Sequence, residues 1–272
     1  MACTTTSLTN ELQRRHHLWP VATAALGRTV AIGALMAFML KGEERLTLQI
    51  KGDGPLGGVV VDADSEGSVR GYVEHPQVHL PSNSAGKLDV GGAVGHGMLY
   101  VMRDMGMRDV YRSGSELQTG EISDDFTYYF ATSEQTPSAI GAGVLVETDN
   151  SVVVSGGFIV QLLPDATDED VSVIEQQLTA LQSVTDFLKD GATVDDLVRA
   201  VVPDADILER RSLGFRCLCS RERLDSVLRS LGRVELESMI EEQGHAEVIC
   251  HFCNEKYLFT RPELEQMAHE LS

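Results

Sequence analysis

Alternating hydrophobic and polar positions dominate the first part of the chain and predict a β-sheet. The segment "RLTLQIKGDGPLGGVVVDADSEGSVRGYVEHP" alternates between glycine-rich turns, which is typical of antiparallel strands joined by short loops. The strand pattern continues in "FTYYFATSEQ" and in "IGAGVLVETDNSVVVSGGFIVQLLP", where Asp149 and Asn150 predict a hairpin turn. We therefore expect several β-strands before Pro164.

Two helices are predicted ahead of these strands. Ser7 or Thr9 is expected to cap the first, which runs toward His17, and Pro20 is expected to open the second. The second contains the longest apolar run, "VATAALGRTVAIGALMAFML", which is long enough to span a bilayer. Arg28 near its middle would cost about 2.5–3.5 kcal/mol at a bilayer centre. We therefore interpret this run as a buried core helix.

The periodicity becomes helical after residue 163. Thr167 is predicted to begin a helix that ends at Gly191, and Thr193 a shorter helix that Pro203 ends. The apolar residues of the first of these helices recur at helical spacing: Val171, Ile174, Leu178 and Leu181. Such a stripe is not stable in water, so we expect both helices to dock on another surface.

The chain therefore divides into three parts. We expect an α+β fold, with a mixed sheet and helix core domain over 1–163, a helical linker over 164–212 and a small cysteine-bearing domain over 213–272. Between residues 165 and 209, twelve acidic side chains stand against two basic ones. The outer face of the linker is therefore strongly negative.

Net charge narrows the classes of partner. The formal charge of -19 at pH 7 repels nucleic acid and anionic lipid, which are both polyanionic. The opening "MACTTTSLTNELQRRHH" has no apolar run behind a basic region, unlike a signal peptide. We therefore expect a cytoplasmic protein that binds neither nucleic acid nor membrane.

Four of the five cysteines lie near the C-terminus. They form a C-x-C motif at Cys217 and Cys219 and a C-x-x-C motif at Cys250 and Cys253. In a reducing cytosol, clustered cysteines bind metal or do redox chemistry more often than they form permanent disulfides. Zinc prefers four tetrahedral N or S ligands, all from protein in a structural site. We therefore predict one Zn²⁺ per chain on these four cysteines.

Several alternatives remain open for the cysteines. Four buried cysteines without a metal would require burial that the neighbouring arginines disfavour. A thiol-disulfide oxidoreductase would place its C-x-x-C motif at a helix N-terminus, whereas "NEKYLF" after Cys253 predicts a strand. A zinc-ribbon nucleic-acid-binding protein is supported by the arginines and opposed by the net charge.

Five arginines surround the first cysteine pair: Arg210, Arg211, Arg216, Arg221 and Arg223. Their positive charge would lower the pKa of a nearby thiol and favour the reactive thiolate. Alternatively, they form a solvated face or ion pairs with the acidic linker. The sequence favours neither alternative.

Two weaker motifs do not indicate a site. "GDGPLG" at 52–57 matches G-x-G-x-x-G, but a strand follows it, so we predict a turn and no phosphate-binding helix terminus. His16 and His17 are interpreted as surface and packing residues of the first helix. The sequence offers no convincing nucleophile and base pair, and we expect that the protein is not an enzyme.

Longer stretches from Thr9 onward carry a further signal. They include "NELQRRHHLWPVATAALGRT", "GPLGGVVVDA", "GKLDVGGAVG", "DDFTYYFATSEQTPSAIGAGVLV", "GGFIVQLLP", "RCLCSRER" and "VICHFCNEKYLFTRPELE". Together they resemble the bacterial heat-shock protein 33 family of redox-regulated holdase chaperones. The resemblance covers essentially the whole chain from Thr9.

The resemblance implies a mechanism as well as a fold. It implies a metastable linker and a C-terminal redox-switch domain that holds zinc on the four cysteines. Oxidants would form Cys217–Cys219 and Cys250–Cys253 disulfides, zinc would leave, and the switch domain and linker would unfold. The exposed surface would bind unfolding client proteins without ATP, and the activated form would be a homodimer.

One departure from the family concerns the start of the chain. Family members normally begin with a further β-strand before the helix that contains "NELQRRH". The opening "MACTTTS" does not predict that strand, and Cys3 has no expected role.

Overall fold

The computed structural model describes residues 1–107, 109–181 and 183–271. These residues form two units, Met1–Arg216 and Cys217–Ser272. Both contain helices and β-sheet, and a four-cysteine cluster lies near the C-terminus, so the α+β fold class is confirmed. The boundary predicted between core and linker near residue 163 stays a prediction.

The elements of the N-terminal unit follow one another in a mixed order. In chain order they are β1 (Ala2–Thr4), α1 (Thr6–His16), α2 (Pro20–Ala37), β2 (Arg45–Gly52), β3 (Gly58–Asp64), β4 (Ser68–Val73), α3 (Val90–Val94), β5 (Gly97–Asp104), β6 (Tyr111–Glu116), α4 (Ser123–Thr132), β7 (Ser138–Val146), β8 (Val152–Gln161), α5 (Asp168–Ala180), α6 (Val184–Lys189), α7 (Val194–Val201) and β9 (Gly214–Phe215).

The strands of this unit form two sheets. The larger has the order β6-β5-β2-β3-β4-β9 and is antiparallel except for the β4–β9 pair. The smaller has the order β1-β8-β7, with the predicted hairpin between β7 and β8, where Asn150 has a φ of 70°. The "GDGPLG" stretch is a turn between β2 and β3, as predicted, with Gly57 at a φ of 70°.

Strand β1 corrects the expectation that the chain opens without a strand. Ala2 pairs with Phe158, and the hydroxyls of Thr5 and Thr9 both bond to the Ser155 hydroxyl, at 2.8 and 3.0 Å. Three residues are too few to show the alternation of a strand, and the threonines that follow are equally typical of helix N-caps. The sequence pattern therefore missed this strand.

Cys3 is a packing residue of β1. Its side chain is buried, with Sγ 3.6 Å from the Ala31 carbonyl oxygen. Burial raises the pKa of this thiol to about 12, so the thiol stays protonated at neutral pH. Cys3 is therefore shielded from the thiolate chemistry of the other cysteines.

Helix α2 is the core helix that the sequence predicts. It contacts both sheets, and although it is long and apolar enough to cross a membrane, 89% of its candidate span is buried inside the structure. The Arg28 side chain is largely buried in the structure, and its guanidinium pairs with the Glu121 carboxylate at 2.6 Å. The helix is apolar because it is enclosed by protein.

Helix α4 contradicts the strand pattern expected for "FTYYFATSEQ". Phe126, Tyr129 and Phe130 are buried on one helical face, at spacings of three and four residues. The Asp125 carboxylate accepts hydrogen bonds from the Gln118 and Ile122 amides, which fixes the helix start. Aromatic residues favour strands by composition, but their helical spacing and this carboxylate cap outweigh that preference.

The linker helices dock on the smaller sheet. Capping boxes begin α5 at Thr167 and α7 at Thr193, as predicted. The helix expected to run on to Gly191 is instead two helices, because Ser183 caps the separate helix α6. Together with Phe158 of β8, α6 and α7 bury a small apolar cluster: Val184, Leu188, Leu197 and Val201.

Helix α5 is docked less firmly than its neighbours. Its side chains, all of which the structure describes, are exposed or half-buried. Only Leu178 of this helix and Leu181 just beyond it pack against the apolar cluster. The stripe predicted to lie on another surface is therefore only partly covered in α5.

The C-terminal unit has its own small core. In chain order its elements are α8 (Arg221–Ser230), α9 (Arg233–Glu242), β10 (His245–Ile249), β11 (Lys256–Thr260) and α10 (Arg261–Glu270). Strands β10 and β11 form an antiparallel hairpin. The buried residues of the core are Leu228, Leu236, Ile240, Ala246, Phe259, Leu264, Met267 and Ala268. Helices α8 and α9, which the sequence pattern did not predict, occupy most of the chain between the two cysteine motifs.

Candidate metal centre

The two cysteine motifs converge on one point of the C-terminal unit. The Sγ atoms of Cys217 and Cys219 lie 3.4 Å apart, those of Cys217 and Cys250 3.7 Å, and those of Cys219 and Cys253 3.2 Å. All four sulfurs lie within 4.8 Å of one another. All four cysteines that were selected from the sequence are therefore brought together.

Local backbone structure places each pair. Cys217 and Cys219 immediately precede α8, whose first turn is capped by the Ser220 hydroxyl. Cys250 follows β10, and Cys253 lies in the turn to β11. That turn is closed by a hydrogen bond from the Cys250 amide to the Glu255 carbonyl oxygen, at 3.0 Å.

The C-x-x-C motif lies in a turn that leads into a strand. Asn254, directly after Cys253, has a φ of 58°, and strand β11 follows two residues later, as the sequence predicts. A thioredoxin-type motif would sit at the start of a helix, where the helix dipole lowers a thiol pKa. The strand after Cys253 does not provide that environment.

The donor set fits a tetrahedral metal ion. Zinc–sulfur bonds of about 2.3 Å in a tetrahedron place the sulfurs about 3.8 Å apart, close to the three Sγ distances above. Four sulfur donors favour soft or borderline metals over Mg²⁺ or Ca²⁺. The cluster could therefore hold a metal ion.

Burial favours the protonated form of the thiols when they are considered without a metal. Desolvation raises the pKa of Cys250, and that of Cys253 even more strongly. A cation that bound here would have to displace protons from the thiols. Metal binding at this centre is therefore expected to release protons and to weaken at low pH.

Four of the five neighbouring arginines pair with carboxylates, and the fifth, Arg223, donates to the Leu218 carbonyl oxygen at 3.0 Å. In the N-terminal unit, Arg210 pairs with Asp195 of α7, while Arg211 pairs with Glu209 and Arg216 with Glu66. Of the two alternatives for the arginines, the structure favours ion pairs, including one to the acidic linker.

Arg221 has a structural role within the C-terminal unit. Its guanidinium lies 4.4 Å from the centre of the Phe259 ring and donates to the Leu258 carbonyl oxygen and the Glu263 carboxylate, at 2.9 and 2.7 Å. Bonds from Thr260 and then from Arg221 lower the pKa of Glu263 to about 2. Arg221 thus ties the start of α8 to the start of α10.

Tyr257 is a residue of the site that was missed from the sequence. Its hydroxyl lies 3.3 Å from the Sγ atom of Cys219. This contact raises the pKa of the phenol, which stays protonated. The available signal was its position in β11, two residues before the buried Phe259 and hence on the same inward face of the strand.

Comparisons with known proteins agree with this architecture. A family model described as Hsp33 protein matches residues 1–260. The 33 kDa chaperonin of Bacillus velezensis is 47% identical over 271 residues, covering 99% of this chain and 93% of that protein. The 33 kDa chaperonin of Bacillus subtilis is 47% identical over 266 residues, covering 97% of this chain and 91% of that protein.

A solved structure shows the same fold. The crystal structure of the 33 kDa chaperonin (heat shock protein 33 homolog) from Thermotoga maritima matches with a TM-score of 0.93 and 39% identity, covering 97% of this chain and 91% of that chain. The α+β architecture with a C-terminal cysteine cluster is thus that of a class of molecular chaperone. The chain belongs to the Hsp33 family.

The metal content of purified protein tests the centre directly. We expect one zinc per chain in protein purified under reducing conditions without chelator, measured by atomic absorption. Cys253→Ser removes a buried candidate ligand and should lower the zinc affinity at least about tenfold, roughly the range seen when metal sites are perturbed. Cys3→Ser is the matched control and should keep its zinc, because Cys3 lies in β1. Zinc-free reduced protein would contradict the assignment.

Proposed function

We propose that this chain is a redox-regulated, ATP-independent holdase that protects unfolding proteins from aggregation in the cytoplasm. The convergence of Cys217, Cys219, Cys250 and Cys253 on one point carries this proposal, together with membership of a chaperone family. The four sulfurs would hold Zn²⁺ in the reduced form. Oxidation of the sulfurs would release the ion and activate the chaperone.

Zinc would account for much of the stability of the C-terminal unit. The core cluster of that unit has only eight buried hydrophobic residues, and domains of this size are marginally stable without a metal or disulfides. A structural zinc contributes about 10–16 kcal/mol of folding free energy in zinc-finger peptides. Loss of zinc would therefore unfold this unit.

The activating step is an oxidation of thiolates by a peroxide. One thiolate attacks a peroxide oxygen, so that an S–O bond forms, the O–O bond breaks and hydroxide leaves. A neighbouring thiolate then attacks the sulfenic acid, so that an S–S bond forms and the second oxygen leaves as hydroxide. Two protons from solvent convert the hydroxides to water. Each disulfide formed consumes one peroxide and removes two sulfur ligands from the metal.

The linker helices are suited to unfold in a second step. Helix α5 has no fully buried side chain, and α6 and α7 bury four between them. Acidic side chains in the first turns favour these helices, but the density of negative charge opposes compaction. Release of α6 and α7 would expose Phe158 and its apolar neighbours on β8. We propose that clients bind such exposed surface and that the active form is a homodimer.

Light scattering by a heat-unfolding client protein tests the function. Reduced, zinc-loaded protein should leave the aggregation unchanged, whereas peroxide-treated protein should suppress it in the absence of ATP. Treatment of the oxidised protein with a thiol reductant and zinc provides the reversal control. Equal suppression by the reduced and oxidised forms would contradict redox regulation.

The pairing of the oxidised cysteines can be predicted from chain entropy. The sulfur distances do not select partners, because Cys219 lies as close to Cys253 as to Cys217. Once the metal has left, closing a loop over the 30 residues between the motifs costs about 2 kcal/mol more than closing one within a motif. We therefore expect Cys217–Cys219 and Cys250–Cys253 bridges to predominate by more than about tenfold.

Peptide mapping of oxidised protein measures this pairing. Digestion without reductant, followed by mass spectrometry, separates bridges within a motif from bridges between motifs. Oxidation of chelator-treated protein is the comparison, since its thiols are no longer held around a metal. A predominant link between the two motifs would contradict this pairing. It would also contradict the proposal that the C-terminal unit is unfolded after oxidation.

A further inference from the structure

The Tyr257 hydroxyl makes a side-chain contact to the four-cysteine cluster. It lies 3.3 Å from the Cys219 Sγ atom, within the range for a hydrogen bond to sulfur. The ring packs against the hydrophobic cluster of the C-terminal unit, and its strand neighbour Phe259 lies on the same inward face. Apolar contacts and the β10–β11 hairpin therefore hold the phenol in place beside the sulfur.

The direction of this hydrogen bond follows from the chemistry of the sulfur. A thiolate that binds a metal carries no proton and can only accept, so Tyr257 donates. A donated hydrogen bond stabilises negative charge on the sulfur. Because the nucleophilicity of a thiolate falls as its charge is stabilised, the contact makes Cys219 less reactive toward electrophiles.

Backbone donors serve the other motif. The amides of Phe252 and Cys253 bond to Cys250, and the Glu255 amide bonds to Cys253. Such amides are present whatever side chain the residue carries. The donor to Cys219 is a side chain, so a single substitution can remove it.

We propose that Tyr257 is a positioning residue that restrains the Cys219 thiolate and so sets the threshold at which an oxidant opens the metal centre. The inference rests on the proposed redox function and adds to it a residue outside the four cysteines. When Cys219 attacks a peroxide, the S–O bond forms as the O–O bond breaks, and the sulfur loses the charge that the phenol stabilised. Removal of the phenol hydroxyl therefore favours this step.

Tyr257→Phe tests the proposal because it removes only the hydroxyl. Full-length, zinc-loaded protein is treated with hydrogen peroxide or with iodoacetamide, and zinc release is followed with a chromophoric chelator. The rate without reagent is subtracted, so that weaker zinc binding is not mistaken for higher reactivity. Because an attacking thiolate loses only about half of its charge in the transition state, loss of one hydrogen bond to this charged group should make both reagent-dependent rates about threefold to tenfold faster.

The controls separate the hydroxyl contact from tyrosine loss in general. Tyr128→Phe removes the hydroxyl of an exposed tyrosine on α4 and should leave both rates unchanged. Mass spectrometry after brief alkylation should show the acceleration at Cys219 and not at Cys250. In Co²⁺-substituted protein, the sulfur-to-cobalt charge-transfer band should move to lower energy in Tyr257→Phe, since its thiolate is more electron-rich.

A second experiment keeps the tyrosine ring and hydroxyl and strengthens the hydrogen bond to Cys219, whereas Tyr257→Phe removes it. Protein labelled with 3-fluorotyrosine has a more acidic phenol, which is a stronger donor, so alkylation of Cys219 should slow. If Tyr257→Phe binds zinc poorly, the alkylation rate of the labelled protein tests the proposal instead. Slowing supports the proposal, and an unchanged rate at Cys219 overturns it.

The remaining outcomes distinguish failure of the Tyr257 proposal from failure of the proposed redox function. Equal reagent-dependent rates for Tyr257→Phe and the unmodified chain overturn the proposal, as does a faster spontaneous loss of zinc with no change in those rates. If peroxide releases no zinc from either protein while iodoacetamide reacts faster with Tyr257→Phe, the redox function is wrong but the restraint on Cys219 stands.

Discussion

Removal of the metal is expected to unfold residues 217–271 while β7 and β8 keep their amide protection. The reason is the disparity in core size between the two units. The C-terminal unit relies on eight buried hydrophobic residues, and a structural zinc adds about 10–16 kcal/mol in small metal domains. The smaller sheet of the N-terminal unit packs instead on α2, which is buried along most of its length.

Hydrogen exchange read by mass spectrometry measures this effect peptide by peptide. Chelator should abolish protection in β10, β11 and α10 and leave the Val152–Gln161 strand unchanged. Cys250→Ser should act in the same direction without chelator, and Cys3→Ser should behave as the unmodified chain. Retained protection in β11 after complete loss of metal would show that the C-terminal unit folds without it.

Elements with strong local signals were predicted well from the sequence. The capping boxes at Thr167 and Thr193 are short-range features, because the threonine hydroxyl and the aspartate three residues later bond within one helical turn. The meander β2-β3-β4 likewise shows period-two burial with glycine turns. Such features depend on neighbours along the chain, so they are visible before the fold is known.

Elements that depend on tertiary contacts were missed. Strand β1 exists through its pairing with β8, and three residues carry no period of their own. The break before α6 was overlooked because the apolar spacing runs through it, although the Ser183 cap is a local signal. For α4, aromatic composition suggested a strand while the helical spacing of Phe126, Tyr129 and Phe130 showed the helix.

The candidate site also has a part that local sequence signals reveal and a part that depends on tertiary contacts. The four cysteines could be selected from spacing alone, because metal ligation restricts both residue type and number. The Tyr257 contact could not, since Cys219 and Tyr257 are 38 residues apart and meet only through the β10–β11 hairpin. The sequence shows that the arginines are clustered, but it does not show which carboxylates they pair with. Those ion pairs depend on carboxylates that the fold brings near.

The linker helices have strong local sequence signals but few tertiary contacts. Its helices have well-formed caps, yet only α6 and α7 contribute buried residues, and they do so to a cluster of five. A helix of eight residues such as α7 is marginal in isolation. Its stability therefore depends on docking against β1 and β8, the strands that it contacts. Docking is thus the property that a substitution should alter.

Leu197→Ala is expected to release α7 and to give holdase activity without an oxidant. Leu197 is 0% exposed and packs in the cluster around Phe158, and truncation of a buried leucine costs about 2–5 kcal/mol. A loss of that size removes much of the burial that docks this short helix, since Val201 is its one other buried residue. Reduced Leu197→Ala protein with its zinc still bound should therefore suppress aggregation of a heat-unfolding client in light scattering.

Arg199→Ala is the matched control, because Arg199 is exposed on the same helix and alanine keeps its helix propensity. Zinc content and hydrogen exchange over 194–201 are measured on both variants. Fast exchange in Leu197→Ala without client protection would mean that linker release does not create the client-binding surface. Slow exchange would mean that α7 docks without this side chain. Fast exchange with client protection and retained zinc would place the linker after the metal centre in the activation sequence, since undocking α7 would then replace the oxidation step.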